Sequence, residues 1–435
     1  MNIRFYNAKI LTMEDNMDIF EGQIWIRDDI ILYVGDAGDL DSFYKESGIS
    51  CLVWDKEIDC KKNLLLPGFK NAHTHSGMTL LRSFADDLPL DAWLNKQVFP
   101  VEAKMSSEDI YDLTQLAILE YVSGGVTSIF DMYLTPESIT VSCENAGMRC
   151  VQVGAVNNFS QSVELVEQMY QTLNHGNPLS SYILGFHAEY TCSEELLKEI
   201  AGLSKKYKAP VFTHNSETAA EVRGCIERHG TTPTVYLDSL SMFENGGGGY
   251  HCVHMSDEDI HIFKNKKLSV VTNPGSNTKL ASGIAPITTF LKEGINVAIG
   301  TDGAASNNCL DMFREMFLVT GLAKLREQDA SVVDAMDVLK MATVNGAKAM
   351  GLMNCDVLAK GKQADIIMID LNQPNMQPLN NIGKNLVYSG SKENVIMTMI
   401  AGKILYDRGN YNIGIEPEII YQKANAIIQR IRKSM

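Results

Sequence analysis

Residues 64–75, LLLPGFKNAHTH, join a short apolar run to two histidines in the last three positions. Short apolar runs bounded by Gly and Pro are typical of buried strands. Seven later segments have the same character and are predicted as strands: VTSIFDM (126–132), CVQVGAV (150–156), YILGFHAE (182–189), APVFTH (209–214), GYHCVH (249–254), LSVVTN (268–273) and NVAIGTD (296–302). Together with the opening run, the sequence offers eight candidate strands.

Longer helical stretches separate these candidate strands. Examples are SEDIYDLTQLAILEYVSGG (107–125) and SEELLKEIAGLSKKY (193–207). Eight strand–helix units between residues 67 and 357 predict a (β/α)8 barrel, that is, a TIM barrel of the α/β class. A doubly wound open sheet is the alternative, and the lack of a Gly-rich phosphate turn after the first strand counts against it.

The two ends of the chain differ from this middle region. Residues 1–66 and 358–409 carry β-branched and aromatic residues at strand spacing, broken by Gly and Asp. Because the ends of a domain often lie close together, we expect them to form one small β-sandwich domain. The expected division is 1–66 for its first part, 67–357 for the barrel, and 358–435 for its second part with a terminal surface helix.

Composition narrows the range of partners. The chain has 435 residues, a formal net charge of -15 and nine scattered cysteines. The negative charge argues against a nucleic-acid or membrane partner. No signal segment or membrane-length apolar run is visible, and the unpatterned cysteines indicate reduced thiols in a cytoplasm. The oligomeric state stays open, with a homo-oligomer among the options.

Polar residues capable of binding a metal stand at the ends of the predicted strands. His73 and His75 are two positions apart on one strand, so both side chains point the same way. His214, His251 and Asp302 end the fifth, sixth and eighth strands. Catalytic residues of such barrels gather at this carboxyl-terminal face, and imidazole with carboxylate suits a borderline metal such as zinc.

Several long segments resemble the amidohydrolase superfamily, and most closely its methylthioadenosine/S-adenosylhomocysteine deaminase branch. The resemblance covers nearly the whole chain. The segments are LPGFKNAHTHSGMTLLRSFADDLPLDAWLNKQVFPVE (66–102), FHAEYTCSEELL (186–197), THNSET (213–218), HCVH (251–254), TNPGSNTKLASGIAPI (272–287) and GTDGAASNN (300–308).

This resemblance implies roles for individual residues. It implies one divalent metal ion, with zinc expected and iron or manganese as alternatives. The metal ligands would be His73, His75, His214 and Asp302. The remaining implied site residues are Glu217 as proton shuttle, His251 orienting the water, His187 contacting substrate, and Trp93 and Glu102 contacting the nucleoside sugar.

The chemistry expected from such a site is hydrolytic deamination. The metal makes a bound water acidic near neutral pH, and Asp302 accepts its proton. Glu217 protonates a purine ring nitrogen, which activates the neighbouring carbon. Asp302 and Glu217 would therefore also contact substrate. The expected function is release of ammonia from C6 of methylthioadenosine, 5′-deoxyadenosine, adenosine or S-adenosylhomocysteine.

One position departs from the branch. It often carries a substrate-contacting Arg at the end of the third strand, where this chain has Gly154, while Arg149 stands at the strand's start. This departure favours a small or neutral 5′ group. The alternatives are a deaminase or dechlorinase of a free base, pterin or triazine on the same frame, and a non-catalytic binding protein. A dinuclear cyclic-amide hydrolase is disfavoured because the fourth strand ends in GFHAEY, without a bridging Lys.

Overall fold

The computed structural model describes residues 1–15, 18–36, 44–45, 52–84, 86–88 and 93–434. Residues 85 and 89–92, within the segment 66–102 that carries part of the resemblance, lie outside this range. The described chain forms two sheets. In chain order their strands are β1 (Asn2–Ile10), β2 (Phe20–Arg27), β3 (Ile30–Gly35), β4 (Lys56–Asp59), β5 (Leu64–Pro67), β6 (Phe69–Thr74), β7 (Val126–Asp131), β8 (Arg149–Val153), β9 (Ser180–Ala188), β10 (Val211–Asn215), β11 (Gly247–His251), β12 (Ser269–Thr272), β13 (Asn296–Ile299), β14 (Ile366–Ile369), β15 (Val395–Ile400), β16 (Lys403–Asp407) and β17 (Asn410–Tyr411).

Strands β6 to β13 form a parallel sheet in which each strand pairs with its neighbours in the chain. The two edges of the sheet meet, because the Asp302 backbone N–H donates to the His73 carbonyl at 2.9 Å. The predicted barrel is therefore confirmed as a near-closed cylinder. Its interior is filled by buried side chains that include Ala72, Phe130, Val151, Phe212, Tyr250, Val271 and Ala298.

Helices cover the outside of this cylinder, as the alternating pattern predicts. Several begin at an N-cap that the sequence provides: Ser106 and Asp109 form a capping box at the start of the helix Ser107–Ser123. The helices are α1 (Phe99–Glu102), α2 (Ser107–Ser123), α3 (Pro136–Ala146), α4 (Val163–Leu173), α5 (Glu194–Tyr207), α6 (Ala219–His229), α7 (Pro233–Ser239), α8 (Asp257–Asn265), α9 (Pro274–Lys279), α10 (Ile287–Lys292), α11 (Met312–Glu327), α12 (Ala335–Ala342), α13 (Val344–Ala349), α14 (Ile382–Tyr388) and α15 (Pro417–Ser434).

Five short helical turns complete the described chain. Four are 3-10 turns and one is a π-helical turn on the loop that follows the first barrel strand. The 3-10 turns are Ser76–Leu81, Glu189–Thr191, Pro374–Met376 and Lys392–Asn394, and the π-helical turn is Leu94–Val98.

Strands from both ends of the chain share the second sheet, in the order β17-β16-β15-β14-β5-β1-β2-β3, with β4 paired to β1. Its central junction is the antiparallel pairing of β5 with β14. The opening segment 64–75 thus contains two strands rather than one, since β5 belongs to this sheet and β6 to the barrel. The break falls at Gly68, where a Cβ would lie 2.0 Å from the Thr127 side chain.

A buried ion pair connects the barrel to the second sheet. Arg149, at the start of β8, donates two hydrogen bonds of 2.9 Å to Asp365, just before β14. The Lys70 ammonium lies 3.7 Å from the same carboxylate, and all three side chains are buried. Burial alone would raise the pKa of Asp365, but the charges of Arg149 and Lys70 lower it.

The terminal helix α15 lies on α2, as expected of a surface helix. Lys423 and Arg430 of α15 pair with Asp112 and Asp109 of α2. Within the described ranges, no helix has both the length and the apolar character that a membrane span requires.

Candidate metal centre

The strand ends bring four histidines and one aspartate to the same mouth of the barrel. The ligand atoms of His73, His75 and His214 lie within 4.8 Å of one another, and so do those of His73, His251 and Asp302. Asp302 Oδ1 lies 3.6 Å from His73 Nε2 and 3.1 Å from His75 Nε2. The residues that the sequence singled out separately therefore share one small volume.

Backbone carbonyls fix the orientation of two of these rings. His214 Nδ1 lies 2.7 Å from the His187 carbonyl oxygen, and His75 Nδ1 bonds the Met132 carbonyl. A carbonyl only accepts, so Nδ1 carries a proton in both rings, which leaves Nε2 as the nitrogen that can bind a metal. Metal-binding histidines typically use this arrangement.

His73 provides the test of whether these residues fit a metal. Its side chain is fully buried, stacked 3.8 Å from the Tyr250 ring, and in the described part of the chain neither ring nitrogen has a hydrogen-bond partner. Burying an unpaired polar nitrogen is unfavourable. A divalent ion bound by one of these nitrogens would remove part of that cost, so the residues present fit one.

The charge state of the cluster also suits a cation. Burial lowers the pKa of His73 and of His214 well below the usual range, which keeps both rings neutral. Burial lowers the pKa of His75 too, but Asp302 outweighs it and raises that pKa to about 9. Burial would raise the pKa of Asp302, yet the hydrogen bond and charge of His75 hold it well below its usual range. The neutral rings of His73 and His214 and the ionised carboxylate of Asp302 are the forms that bind metal, whereas the protonated His75 ring must release a proton when a metal binds.

Three donors hold the Asp302 carboxylate. Ser276 Oγ donates to Oδ2 at 2.6 Å and Ser306 Oγ to the same oxygen at 2.8 Å. The Gly303 backbone N–H donates to Oδ1 at 2.8 Å. The Asp302 backbone has φ of 60°, an uncommon conformation for a residue with a side chain and one that is enriched at functional sites.

Glu217 lies beside the cluster but outside it. Its Oε2 is 3.8 Å from His251 Nε2, and its Oε1 accepts from Ser282 Oγ at 3.2 Å. The turn that carries Glu217 is held by Glu221, whose carboxylate accepts from the backbone N–H of Glu217 at 2.7 Å. His251 is oriented in turn by the Asn277 side chain, 2.7 Å from its Nδ1.

A cavity of about 580 Å³ opens in front of these groups. Trp93, Glu102 and His187 line it, as do His75, His214, Glu217, His251 and Asp302. Trp93 is buried in the loop that follows the first barrel strand. His187 Nδ1 lies 3.0 Å from Thr191 Oγ1, and burial lowers the pKa of His187 to about 4, so its ring is neutral.

Glu102 lines the same cavity. Tyr133 Oη donates to Glu102 Oε1 at 2.7 Å. Burial raises the pKa of Glu102 to about 7, against the opposing effect of this hydrogen bond. One acceptor face of the carboxylate is thus occupied by Tyr133.

The rest of the wall is largely apolar. Among the described residues that line the cavity, none is Lys or Arg. Gly154 has no room for a side chain, because a Cβ would lie 2.4 Å from the Gly185 carbonyl oxygen. The apolar lining includes Leu94, Val98, Phe99, Leu134, Phe159 and Tyr190.

The sequence did not identify the residues that support the site. Tyr133, Ser276, Asn277 and Ser306 each contact a predicted site residue. A signal was present for all four, since Tyr133 directly follows the second predicted strand and the other three stand in the quoted segments TNPGSNTKLASGIAPI and GTDGAASNN. The partners of Tyr133, Ser276 and Asn277 lie far away in sequence, so these pairings had no local signature.

Known proteins with similar sequences match this chain over nearly its whole length. Residues 64–405 match the family model described as Amidohydrolase family. The chain is 37% identical over 443 residues to the 5-methylthioadenosine/S-adenosylhomocysteine deaminase of Thermoanaerobacter pseudethanolicus, covering 99% of this chain and 100% of that one. It is 38% identical over 379 residues to the 5′-deoxyadenosine deaminase of Methanothermobacter thermautotrophicus, covering 86% and 88%.

A solved structure matches closely as well. The crystal structure of an adenosine deaminase from Xanthomonas campestris with bound zinc superposes with a TM-score of 0.92 at 30% identity. The match covers 99% of this chain and 98% of that chain.

Proposed function

The chain belongs to the amidohydrolase family, and from this membership we propose that it is a metal-dependent aminohydrolase releasing ammonia from C6 of adenosine-type nucleosides. The observation that carries the proposal is the cluster of His73, His75, His214 and Asp302 beside a cavity of about 580 Å³. The full-length relatives named as deaminases of such nucleosides support the same substrate class.

His73, His75, His214 and Asp302 would hold one divalent ion. Bound there, the ion supplies a Lewis acid that makes water acidic near neutral pH. We propose zinc, supported by the zinc in the similar adenosine deaminase structure and by the donor set, although iron and manganese suit the same donors.

The residues around this position divide the proton transfers between them. Asp302 is ionised, so it can accept the proton of the attacking water. His251, held by Asn277, orients that water by hydrogen bonding. Glu217 gives a proton to purine N1 as C6 is attacked, which keeps negative charge from building on the ring.

Other residues that line the cavity bind the sugar in this proposal. Glu102 has acceptor capacity beyond the bond that it receives from Tyr133, so it can accept hydrogen bonds from ribose hydroxyls. Trp93 covers the sugar, and the neutral His187 ring contacts substrate beside His214.

The proposed substrates carry a neutral 5′ group, such as methylthioadenosine, 5′-deoxyadenosine or adenosine. A carboxylate on the 5′ group would find no Lys or Arg among the described residues of the wall. Gly154 cannot be replaced by an Arg without moving the Gly185 backbone. A hydrogen bond to a charged group is worth about 1.5–3 kcal/mol. We therefore expect kcat/KM for S-adenosylhomocysteine to be roughly tenfold to a hundredfold below that for methylthioadenosine.

An ammonia-release screen tests this function. The zinc-loaded enzyme is assayed with methylthioadenosine, 5′-deoxyadenosine, adenosine, S-adenosylhomocysteine, free adenine and guanine, a pterin and a chlorotriazine. Neutral adenosine nucleosides should give the highest kcat/KM. Turnover of free bases, pterins or triazines without nucleosides would reject the proposal, and preference for S-adenosylhomocysteine would reject its 5′-group part.

A single ligand substitution tests the metal centre. His214→Ala should remove metal and activity together, because it deletes one of the four proposed ligands. The Nε2 atom of His214 has no other role. The metal content is measured by elemental analysis of the purified protein. A variant that keeps stoichiometric metal would refute the assignment of His214.

Cytoplasmic location and oligomeric state stay predictions.

A further inference from the structure

A fully buried carboxylate lies behind the site, on the helix that follows Asp302. Glu315 belongs to α11 and has no exposed surface. Its Oε2 accepts from the Gly275 backbone N–H at 2.7 Å, and its Oε1 accepts from Asn307 Nδ2 at 2.8 Å. Each oxygen thus holds a different segment, the start of helix α9 or the irregular segment after β13.

Both residues that Glu315 holds are chain neighbours of a serine on Asp302. Gly275 precedes Ser276, whose hydroxyl donates to Asp302 Oδ2 at 2.6 Å. Asn307 follows Ser306, whose hydroxyl donates to the same oxygen at 2.8 Å. The buried Glu315 carboxylate therefore holds the two segments whose serines hold the Asp302 carboxylate.

The packing at Gly275 supports the same connection. A Cβ at this position would lie 2.4 Å from Glu315 Oε1 and 2.7 Å from both polar atoms of the Asn307 amide. Only glycine permits the backbone to approach Glu315 this closely. The start of α9, which carries Ser276, therefore packs directly against Glu315.

We propose that Glu315 is a positioning residue that acts on the metal centre through Ser276 and Ser306. With Oδ2 of Asp302 held by both hydroxyls, Oδ1 faces His73 and His75 at 3.6 and 3.1 Å. Loss of either Glu315 hydrogen bond leaves a buried donor unpaired. It also frees the segment that carries one of the two serines, Ser276 or Ser306. This inference rests on the proposed metal site but on none of the substrate assignments.

The test is zinc affinity, measured by competition with a chelator on the purified protein. Glu315→Gln keeps the size of the side chain but replaces one acceptor with a donor that faces another donor. Changes to residues that support metal ligands typically cost 10-fold to 100-fold in metal affinity or activity. We expect a fall of that size in zinc affinity, a fall in kcat, and a KM within about twofold of wild type.

Two further variants separate positioning from general stability. Glu327→Gln makes the same change at an exposed position of the same helix and should leave zinc affinity unchanged. Gly275→Ala pushes a methyl group against the Glu315 carboxylate and should lower zinc affinity like Glu315→Gln. It also serves if Glu315→Gln fails to fold.

A double-mutant cycle identifies the route. In a protein carrying Ser276→Ala and Ser306→Ala, adding Glu315→Gln should lower zinc affinity by less than about twofold more. Fully additive effects, or unchanged zinc affinity in Glu315→Gln or Gly275→Ala, would overturn the inference. Because zinc binding needs no nucleoside, failure of the deamination screen would leave this result intact, and failure here would leave the substrate class untouched.

Discussion

At the scale of single residues, two of the carboxylates that line the cavity, Asp302 and Glu217, have different surroundings. Asp302 receives three hydrogen bonds and faces two histidines at 3.6 and 3.1 Å. Glu217 receives one side-chain bond, from Ser282, and lies 3.8 Å from His251. The first environment stabilises a fixed anion, whereas the second holds its carboxyl by fewer hydrogen bonds. This contrast supports the proposal that Asp302 binds metal and that Glu217 donates the proton.

Glu217→Gln separates proton donation from binding. The amide keeps the size of the side chain but cannot donate an acidic proton to purine N1. General acid catalysis contributes about 10²–10⁴ in rate, so kcat should fall by that factor while metal content and KM change little. Steady-state kinetics and elemental analysis measure both. The exposed Glu227→Gln is the matched control on α6, and a Glu217→Gln enzyme with kcat within about threefold of wild type would contradict the assignment.

The acid side of the pH profile is predicted to depend on Glu102. Burial raises its pKa to about 7, so the free enzyme carries an increasing fraction of neutral Glu102 as pH falls below that value. Ribose hydroxyls bind best to the ionised form, and kcat/KM should therefore fall about tenfold per pH unit below roughly pH 7. Glu102→Gln cannot titrate and should lose this dependence at a lower overall kcat/KM. Identical acid limbs in the two enzymes would exclude Glu102 as its source.

The residues that the sequence predicted and those that it missed differ in the range of their contacts. His73, His75 and Asp302 were found because each ends an apolar strand, which is a local pattern. Glu315 could not be found, because an acidic residue within a helix has no local sign of being buried against residues 40 and 8 positions away. The roles of the predicted site residues await the experiments above.

At the scale of elements, most strands follow from apolar runs, but the border between the two sheets does not. The run 64–75 is continuous in character, yet it divides at Gly68, where the backbone passes close to Thr127. The neighbouring strands β8 and β9 also meet without space for a side chain at Gly154. Close approach between strands is a property of the assembled barrel, so a single sequence gives only the glycine.

Gly154→Ala should destabilise the barrel. The added Cβ would lie 2.4 Å from the Gly185 carbonyl oxygen, which belongs to the backbone and can move only with its strand. Overpacking of this kind typically costs about 1–3 kcal/mol in the free energy of unfolding, measurable by urea titration. Gly202→Ala is the control, since a Cβ at this exposed helical position meets nothing within 4 Å and should stabilise slightly. Equal stability of the two variants would refute the steric argument.

At the scale of the whole molecule, the barrel and the second sheet are joined by the buried pair of Arg149 and Asp365, with Lys70 nearby. Arg149 stands at the start of a barrel strand, far along the chain from its partner. Removing one member of a buried pair leaves an uncompensated charge, which is much more costly than losing an exposed pair.

Asp365→Asn is expected to lower the free energy of unfolding by about 3–5 kcal/mol. The exposed pair of Glu194 and Lys198 gives the control, because Glu194→Gln should change stability by less than about 0.5 kcal/mol. The folded-state pKa of Asp365 is lowered, so its contribution is present above the unfolded pKa of about 3.9 and is lost as pH falls through the folded value. Urea unfolding at neutral and acidic pH measures both effects, and an Asp365→Asn protein as stable as Glu194→Gln would contradict them.

The pairing of β5 with β14 also sets an order of events during synthesis. Residues 64–67 find their partner only when 366–369 have left the ribosome, about 300 residues later. At roughly 5–20 residues per second, this interval lasts ~15–60 s. During it, β5 has one edge of unpaired backbone groups, which is a template for pairing with other chains. The nascent chain is therefore most exposed to aggregation after its barrel has begun to form and before its last strands arrive, and this is the interval in which a chaperone would be of most use.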